Sequence, residues 1–207
     1  VRTAKRAIDI VGATVGLVLA APVIAVAAAA IRLTSRGPAI FRQERVGRHE
    51  QPFTILKLRT MTVGNDDTEH RAYATRLLTD AATPPDGADG AYKLTNDPRV
   101  TRIGAVLRRF SLDELPQLVN VLRGDMSLVG PRPALDWEVA LYSDHHRTRA
   151  AVRPGCTGLW QVSGRSRLTT LQMLDLDATY ASTWSVAGDL AILARTPVVL
   201  VSGGGAR

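Results

Sequence analysis

The sequence has little of what several common kinds of site are built from. Its single cysteine, Cys156, rules out an intrachain disulfide and fits a reducing compartment. The four histidines, His49, His70, His145 and His146, show no metal-ligand spacing with it. Cys156 lies in Pro-Gly-Cys-Thr-Gly with no His beside it, so it reads as a small packing residue and not as a nucleophile. Aromatic residues make up 5% of the chain, and no helix-turn-helix, zinc-finger or RNA-recognition signature is present. Nucleic acid is therefore not expected as a partner. No internal repeat with a period of 20 to 50 residues is found, which excludes a solenoid.

What the sequence has in excess is positive charge, a formal +7 with a sequence pI near 10.3. That balance suits an anionic membrane surface or phosphorylated small molecules, although a generic basic surface reads the same way. The 207 residues suffice for one compact domain and an appendage. A boundary is expected near position 36, separating residues 1–36 from a larger unit over 37–207.

The apolar residues are spread unevenly. Ile10 to Ile31 carries no charge over 22 residues, and as one straight helix would reach roughly 33 Å, enough to span a bilayer core. Pro22 lies near its middle, where it removes a helical hydrogen bond and crowds the preceding turn. Arg2, Lys5 and Arg6 precede the run, and Arg32, Arg36, Arg42, Arg45 and Arg48 follow it. Basic residues prefer the cytoplasmic side, so two basic flanks favour a re-entrant helix that breaks at Pro22 and returns to the same face. A kinked spanning helix and a buried core helix remain the alternatives.

From Gly37 onward the expected fold is α/β, mostly helical with a small sheet. Phe53 to Arg59 reads as a strand, Leu115 to Leu122 as a helix ended by Gly124, and Ala134–Arg149 and Leu168–Thr183 as helices. Asp189 to Val201 reads as a final apolar helix, and Gly203 to Gly205 as a flexible tail. Gly64 to Gly90 is a polar insertion with a short helix near Glu69 to Thr79.

The chemistry centres on Asp113 and Glu114. Ser111-Leu-Asp-Glu114 matches a capping box. The competing reading starts the helix at Pro116 and leaves both carboxylates just outside its positive end, where phosphate would also be drawn. Arg102, Arg108 and Arg109 precede the pair, Arg132 follows in Gly130-Pro-Arg-Pro133, and Arg153 and Arg165 lie in later turns. Adjacent carboxylates amid arginines fit a magnesium diphosphate site, one carboxylate holding the hard cation while the other attacks phosphorus.

These residues resemble the bacterial sugar transferases, the monotopic polyprenyl-phosphate phosphoglycosyl transferases, along nearly the whole chain. The resemblance begins at Lys5-Arg6-Ala-Ile-Asp9 and continues through Gly37-Pro38, Phe41 to Gly47, Phe53 to Met61 and Asp97 to Gly104. It passes Ser111 to Gln117 and is strongest at Gly124-Asp-Met-Ser-Leu-Val-Gly-Pro-Arg-Pro133, followed by Arg153 to Gly158, Gln161 and Gly164-Arg165.

The resemblance implies a re-entrant helix–break–helix under a compact catalytic domain on the cytoplasmic face of the bacterial inner membrane. It implies that Asp113 attacks the β-phosphorus of a uridine diphosphate sugar, expels UMP and passes the sugar phosphate to polyprenyl phosphate. Glu114 would bind Mg²⁺, and Arg108, Arg132, Arg165 and Lys57 match family residues placed near phosphate. A homodimer is left open. Three features depart from the pattern: Ala21-Pro22 replaces the common Ser-Pro, Thr60 replaces a common Ser, and nothing aligns over Asp66 to Ala91. The chain opens with Val1, and larger relatives carry extra membrane helices, so a catalytic fragment is one expectation. A non-catalytic lipid-binding module and an anchored phosphohydrolase are the competing functions.

Overall fold

The computed structural model describes residues 2–64, 68–79, 97–164 and 168–201. Helix α1, Arg2–Thr34, is the one helix among them long and apolar enough to cross a membrane. It lies against the rest of the protein along a single stripe. Asp9, Ala13, Ala20, Ala27 and Ile31 are buried, and Gly16 and Ile24 are half-buried between them. Their steps of three and four residues keep them on one face of a helix. Small residues let partner side chains close in, and a Cβ at Gly12 would collide with Leu128. The other face is an exposed apolar band that includes Val11, Val15, Val18, Leu19, Val23 and Val26. A buried core helix would show no such band.

Pro22 lies inside α1, so the expected division into two helices is not seen. Pro22 is on the exposed face, and the missing hydrogen bond is offset by packing on either side, at Ala20 and Ile24. Both ends of α1 are fixed to the domain. Lys5 pairs with Asp189 at 2.5 Å, and the Arg6 guanidinium donates to the Val121 and Leu122 carbonyls at 2.6 and 2.8 Å. Asp9 accepts from Ser127 Oγ and the Leu128 N–H. At the far end, Arg59 donates to the carbonyls of Ser35, Arg36 and Gly37. Lys5 and Arg6 of the preceding flank therefore have local structural work, and their placement carries less topological information than the sequence suggested.

Strands β1, Ile40–Val46, and β2, Pro52–Leu58, form an antiparallel hairpin, with Phe41 opposite Lys57 and Arg45 opposite Phe53. Alternation puts Gln43, Arg45, Ile55 and Lys57 on one face. Helix α4, Gln117–Arg123, packs alongside β2 through the fully buried Asn120. Its amide donates to the Thr54 carbonyl at 2.7 Å and accepts from the Leu56 N–H at 3.0 Å. A second, parallel pair joins β3, Ser127–Val129, to β4, Gly155–Thr157.

Around these pairs lie α2, Thr68–Thr79, α3, Arg102–Arg109, α7, Leu159–Ser163, α8, Thr170–Thr183, and α9, Val186–Val201. Ala134–Arg149, expected as one helix, divides into α5, Asp136–Val139, α6, Asp144–Arg147, and a 3-10 turn over Thr148–Ala151. Two local caps cause the division: Glu138 accepts from the Leu135 N–H, and Ser143 Oγ accepts from the His146 N–H. The mixed α/β expectation holds. The tail over Gly203 to Gly205 and most of the polar insertion lie outside the described residues.

Asp189 anchors three elements at once. It accepts from Lys5, from the Tyr180 hydroxyl at 2.7 Å and from Trp184 Nε1 at 3.0 Å, with 4% of its surface exposed. Replacing it breaks the largely buried pair with Lys5 and leaves Trp184 Nε1 without its acceptor, while Lys5 and Tyr180 keep the Val129 carbonyl, so Asp189→Ala should cost about 3–5 kcal/mol in unfolding of the detergent-solubilised chain. Leu190→Ala, on the exposed side of α9, should stay within about 0.5 kcal/mol. Cys156 packs against the cluster of Ala13, Ile55, Val121 and Met126, and burial pushes its thiol pKa up. It should resist alkylation at pH 8 in the folded protein and react once the chain is denatured.

Candidate active site

Asp113 and Glu114 lie in a 3-10 turn, Leu112–Glu114, between α3 and α4. The turn is set by Ser111, whose backbone is left-handed at φ 54° and ψ 25°. Its side chain makes no capping bond, so the capping-box reading fails here. Pro116 stands immediately before α4 at φ −62°, a value its ring prefers, and the helix begins at Gln117. Of the two sequence readings, the structure selects the one that leaves both carboxylates outside the helix. Both are half-buried.

Two of the four basic residues named from sequence meet the dyad. Lys57 Nζ is 3.1 Å from Glu114 Oε1, reaching across from β2. Arg108, in the last turn of α3, donates from Nε to Thr60 Oγ1 at 3.0 Å. Burial lowers its pKa, while the carboxylates of Asp113 and Asp97 oppose that shift, so the guanidinium shares its surroundings with the dyad. Asp97 is held by Arg99 through Nε and Nη2 at 2.8–3.1 Å, and those bonds keep its carboxyl below the usual range.

Arg132 is one step removed. Its Nη1 is 3.4 Å from Glu138 Oε2. Near it is Arg45, part of the Phe41-to-Gly47 string but not among the four basic residues named from sequence. Arg45 feels the charges of Arg132, Glu138 and Glu114, and its pKa is lowered to about 10, first by burial and then by Arg132. Its Nη1 donates to the Pro133 carbonyl at 3.1 Å and its Nη2 to Gln43 Oε1 at 2.8 Å. The signal for it was the alternation along β1, which becomes informative only with the hairpin register that places it on the face of Lys57. Arg165 lies outside the described residues.

Behind Arg132 is a buried network. Arg149 pairs with Asp177 at 2.5 Å and donates to the Tyr142 hydroxyl and the Arg132 carbonyl, fixing the backbone of the Gly130-Pro-Arg-Pro133 turn. A small cavity beside it is lined by Val46, Pro131, Arg132, Tyr142 and Arg149, and does not include Asp113 or Glu114.

Among the described residues no group of three or more His, Cys, Asp or Glu side chains is placed to hold a metal. Two adjacent half-buried carboxylates nevertheless suit Mg²⁺, which needs only one or two from protein when diphosphate oxygens and water complete its shell. The arrangement thus brings two adjacent carboxylates beside Lys57 and Arg108.

Comparison with known proteins identifies the family. The model of the bacterial sugar transferase family matches residues 1–203. The exopolysaccharide production protein ExoY of Rhizobium meliloti is 40% identical over 202 residues, covering 97% of this chain and 87% of that protein. A UDP-glucose:undecaprenyl-phosphate glucose-1-phosphate transferase of Caulobacter vibrioides is 44% identical, covering 93% and 67%. An undecaprenyl-phosphate galactose phosphotransferase of Salmonella typhimurium is 39% identical across 99% of this chain, which spans only 42% of that longer protein. On the dyad turn, the arginines around it and a family match over nearly its entire length, the chain belongs to the bacterial sugar transferases.

Proposed function

We propose that the chain transfers a sugar 1-phosphate from a uridine diphosphate sugar to an undecaprenyl-type polyprenyl phosphate, releasing UMP, as an early step of cell-surface glycan synthesis. The observation that carries this reading is the Asp113–Glu114 turn closed by Lys57 and neighboured by Arg108. A carboxylate can approach a diphosphate only where fixed cations offset the negative charge on both. Lys57, Arg108 and Arg45 supply that charge on rigid elements, and Arg132 extends it along the Pro131–Pro133 turn.

In the first step an Asp113 carboxylate oxygen attacks the β-phosphorus. The bond from that phosphorus to the bridging oxygen breaks, and UMP leaves with the electron pair. The enzyme then carries the sugar phosphate as an acyl phosphate on Asp113. In the second step a phosphate oxygen of the polyprenyl acceptor attacks the same phosphorus and frees the carboxylate, giving polyprenyl diphosphate sugar. Glu114 would hold Mg²⁺, which when bound neutralises charge on the diphosphate. Lys57 Nζ, 3.1 Å from Glu114 Oε1, holds that carboxylate in place.

The acceptor is a lipid, and α1 provides the means to reach it. Its exposed apolar band would lie in the cytoplasmic leaflet, entering and returning as a re-entrant element, with the domain on the cytoplasmic face. Attachment of both ends of α1 to one domain disfavours a single crossing, and re-entry would require α1, continuous here, to break at Pro22 in the bilayer.

Incubating the native chain with a panel of uridine diphosphate sugars, Mg²⁺ and undecaprenyl phosphate tests the reading. UMP and a lipid-linked sugar should appear with at least one donor, and Asp113→Asn should lower turnover by at least about a thousandfold. A folded native chain that releases no UMP from any donor, or an Asp113→Asn variant as active as the native chain, removes this assignment.

A further inference from the structure

Arg108 is placed by a residue that the reaction itself does not need. Beyond the end of β2 at Leu58 the chain runs on through Arg59 and Thr60, and Thr60 is 8% exposed. Its carbonyl accepts from the Thr101 N–H at 2.9 Å, the residue that caps α3 through the Gly104 N–H. The first turn of α3 is pressed against the same carbonyl, so closely that any Cβ at Gly104 would collide with it. One helical turn later Arg108 lies on the same face, and its Nε donates to the Thr60 hydroxyl at 3.0 Å. Backbone and side chain of one residue therefore set both where α3 sits and how the guanidinium at its end is turned.

We propose that Thr60 is a positioning residue for phosphate recognition, its hydroxyl holding Arg108 Nε so that the Nη edge of the guanidinium faces the diphosphate beside Asp113. A guanidinium has a fixed planar fork of five donors. With Nε tied to a neutral hydroxyl, the fork stays rotationally fixed and keeps its full charge, whereas a carboxylate partner would cancel part of it. Paired phosphate oxygens are bound best by such a fork in one orientation. The role needs a hydroxyl and no more, which is why Thr and Ser should serve equally at this position. This proposal rests on the phosphotransfer reading for its ligand class.

The test compares Thr60→Ser, Thr60→Val and Arg108→Lys, and the double variant Thr60→Val/Arg108→Lys, in the full detergent-solubilised chain. Affinity for uridine diphosphate with Mg²⁺ is measured by calorimetry, alongside melting temperature. Thr60→Val keeps the shape of the side chain and removes only the hydroxyl; Thr60→Ala replaces it should the valine variant fail to fold. Thr60→Val should weaken binding about tenfold, the scale of one charge-assisted hydrogen bond, and Thr60→Ser should stay within about twofold. In the Arg108→Lys background, where no Nε–H fork exists, removing the hydroxyl should cost less than about twofold more. Affinity unchanged by Thr60→Val, or losses that multiply in the double variant, overturns the positioning role. Failure of the transferase reading is seen separately, as a native chain that binds the nucleotide with this pattern yet releases no UMP from any donor. A native chain that does not bind uridine diphosphate overturns both.

Discussion

The structure depends on one short stretch of backbone, Thr54 to Met61, and on what each of its residues holds. Thr54 and Leu56 are gripped by Asn120 and so fix α4. Lys57 reaches Glu114, Leu58 enters the core with Ala27, Ile31 and Leu107, and Arg59 closes the end of α1. Thr60 seats α3 and turns Arg108, and Met61 bridges to Val100. A strand is suited to this because its side chains leave alternately to two faces at about 3.3 Å per residue. The helix that would meet lipid, the turn that carries the dyad and the arginine beside it are thereby referenced to one rigid line.

The placement of positive charge follows the same economy. A formal charge of +7 suggests a surface made to attract anions, yet many of the basic groups serve as fasteners. Arg6 and Arg59 bind backbone carbonyls, Lys5 is paired with Asp189, and Arg149 with Asp177. Long cationic side chains suit this task because they satisfy several acceptors at a distance while burying their stems. The basic groups beside the dyad turn are a smaller set, Lys57 on β2 and Arg108 at the end of α3.

Much of this was legible in the sequence, and the rest was hidden for identifiable reasons. The long apolar run, the strand at Phe53–Arg59, the helices after Leu115 and Leu168 and the dyad all follow from pattern, because period and composition are local properties. Pro116 favoured the correct start of α4 because proline chemistry is local too. Strand β1 was missed because Phe41 to Val46 mixes charge with apolar residues and declares its faces only once paired. The division of Ala134–Arg149 was hidden because the caps that cause it, Glu138 and Ser143, resemble ordinary helical polar residues. Arg45 and Thr60 were visible in the sequence but their partners were not: Arg45 meets the Pro133 carbonyl and Thr60 meets Arg108, far along the chain, and no spacing rule reports such a meeting.

The grip of Asn120 has a consequence for how copies of this protein meet. A two-stranded hairpin leaves the outer edge of each strand with unpaired backbone groups, an open template for another strand. Along β2 that edge runs through Thr54 and Leu56, and a single side-chain amide occupies both the acceptor and the donor there. Primary amide and peptide offer the same donor and acceptor, so Asn120 imitates one residue of a neighbouring strand and stops the ladder at that residue. Strand addition along β2 is thereby interrupted at Thr54 and Leu56, so a second copy could not extend an unbroken ladder down this edge.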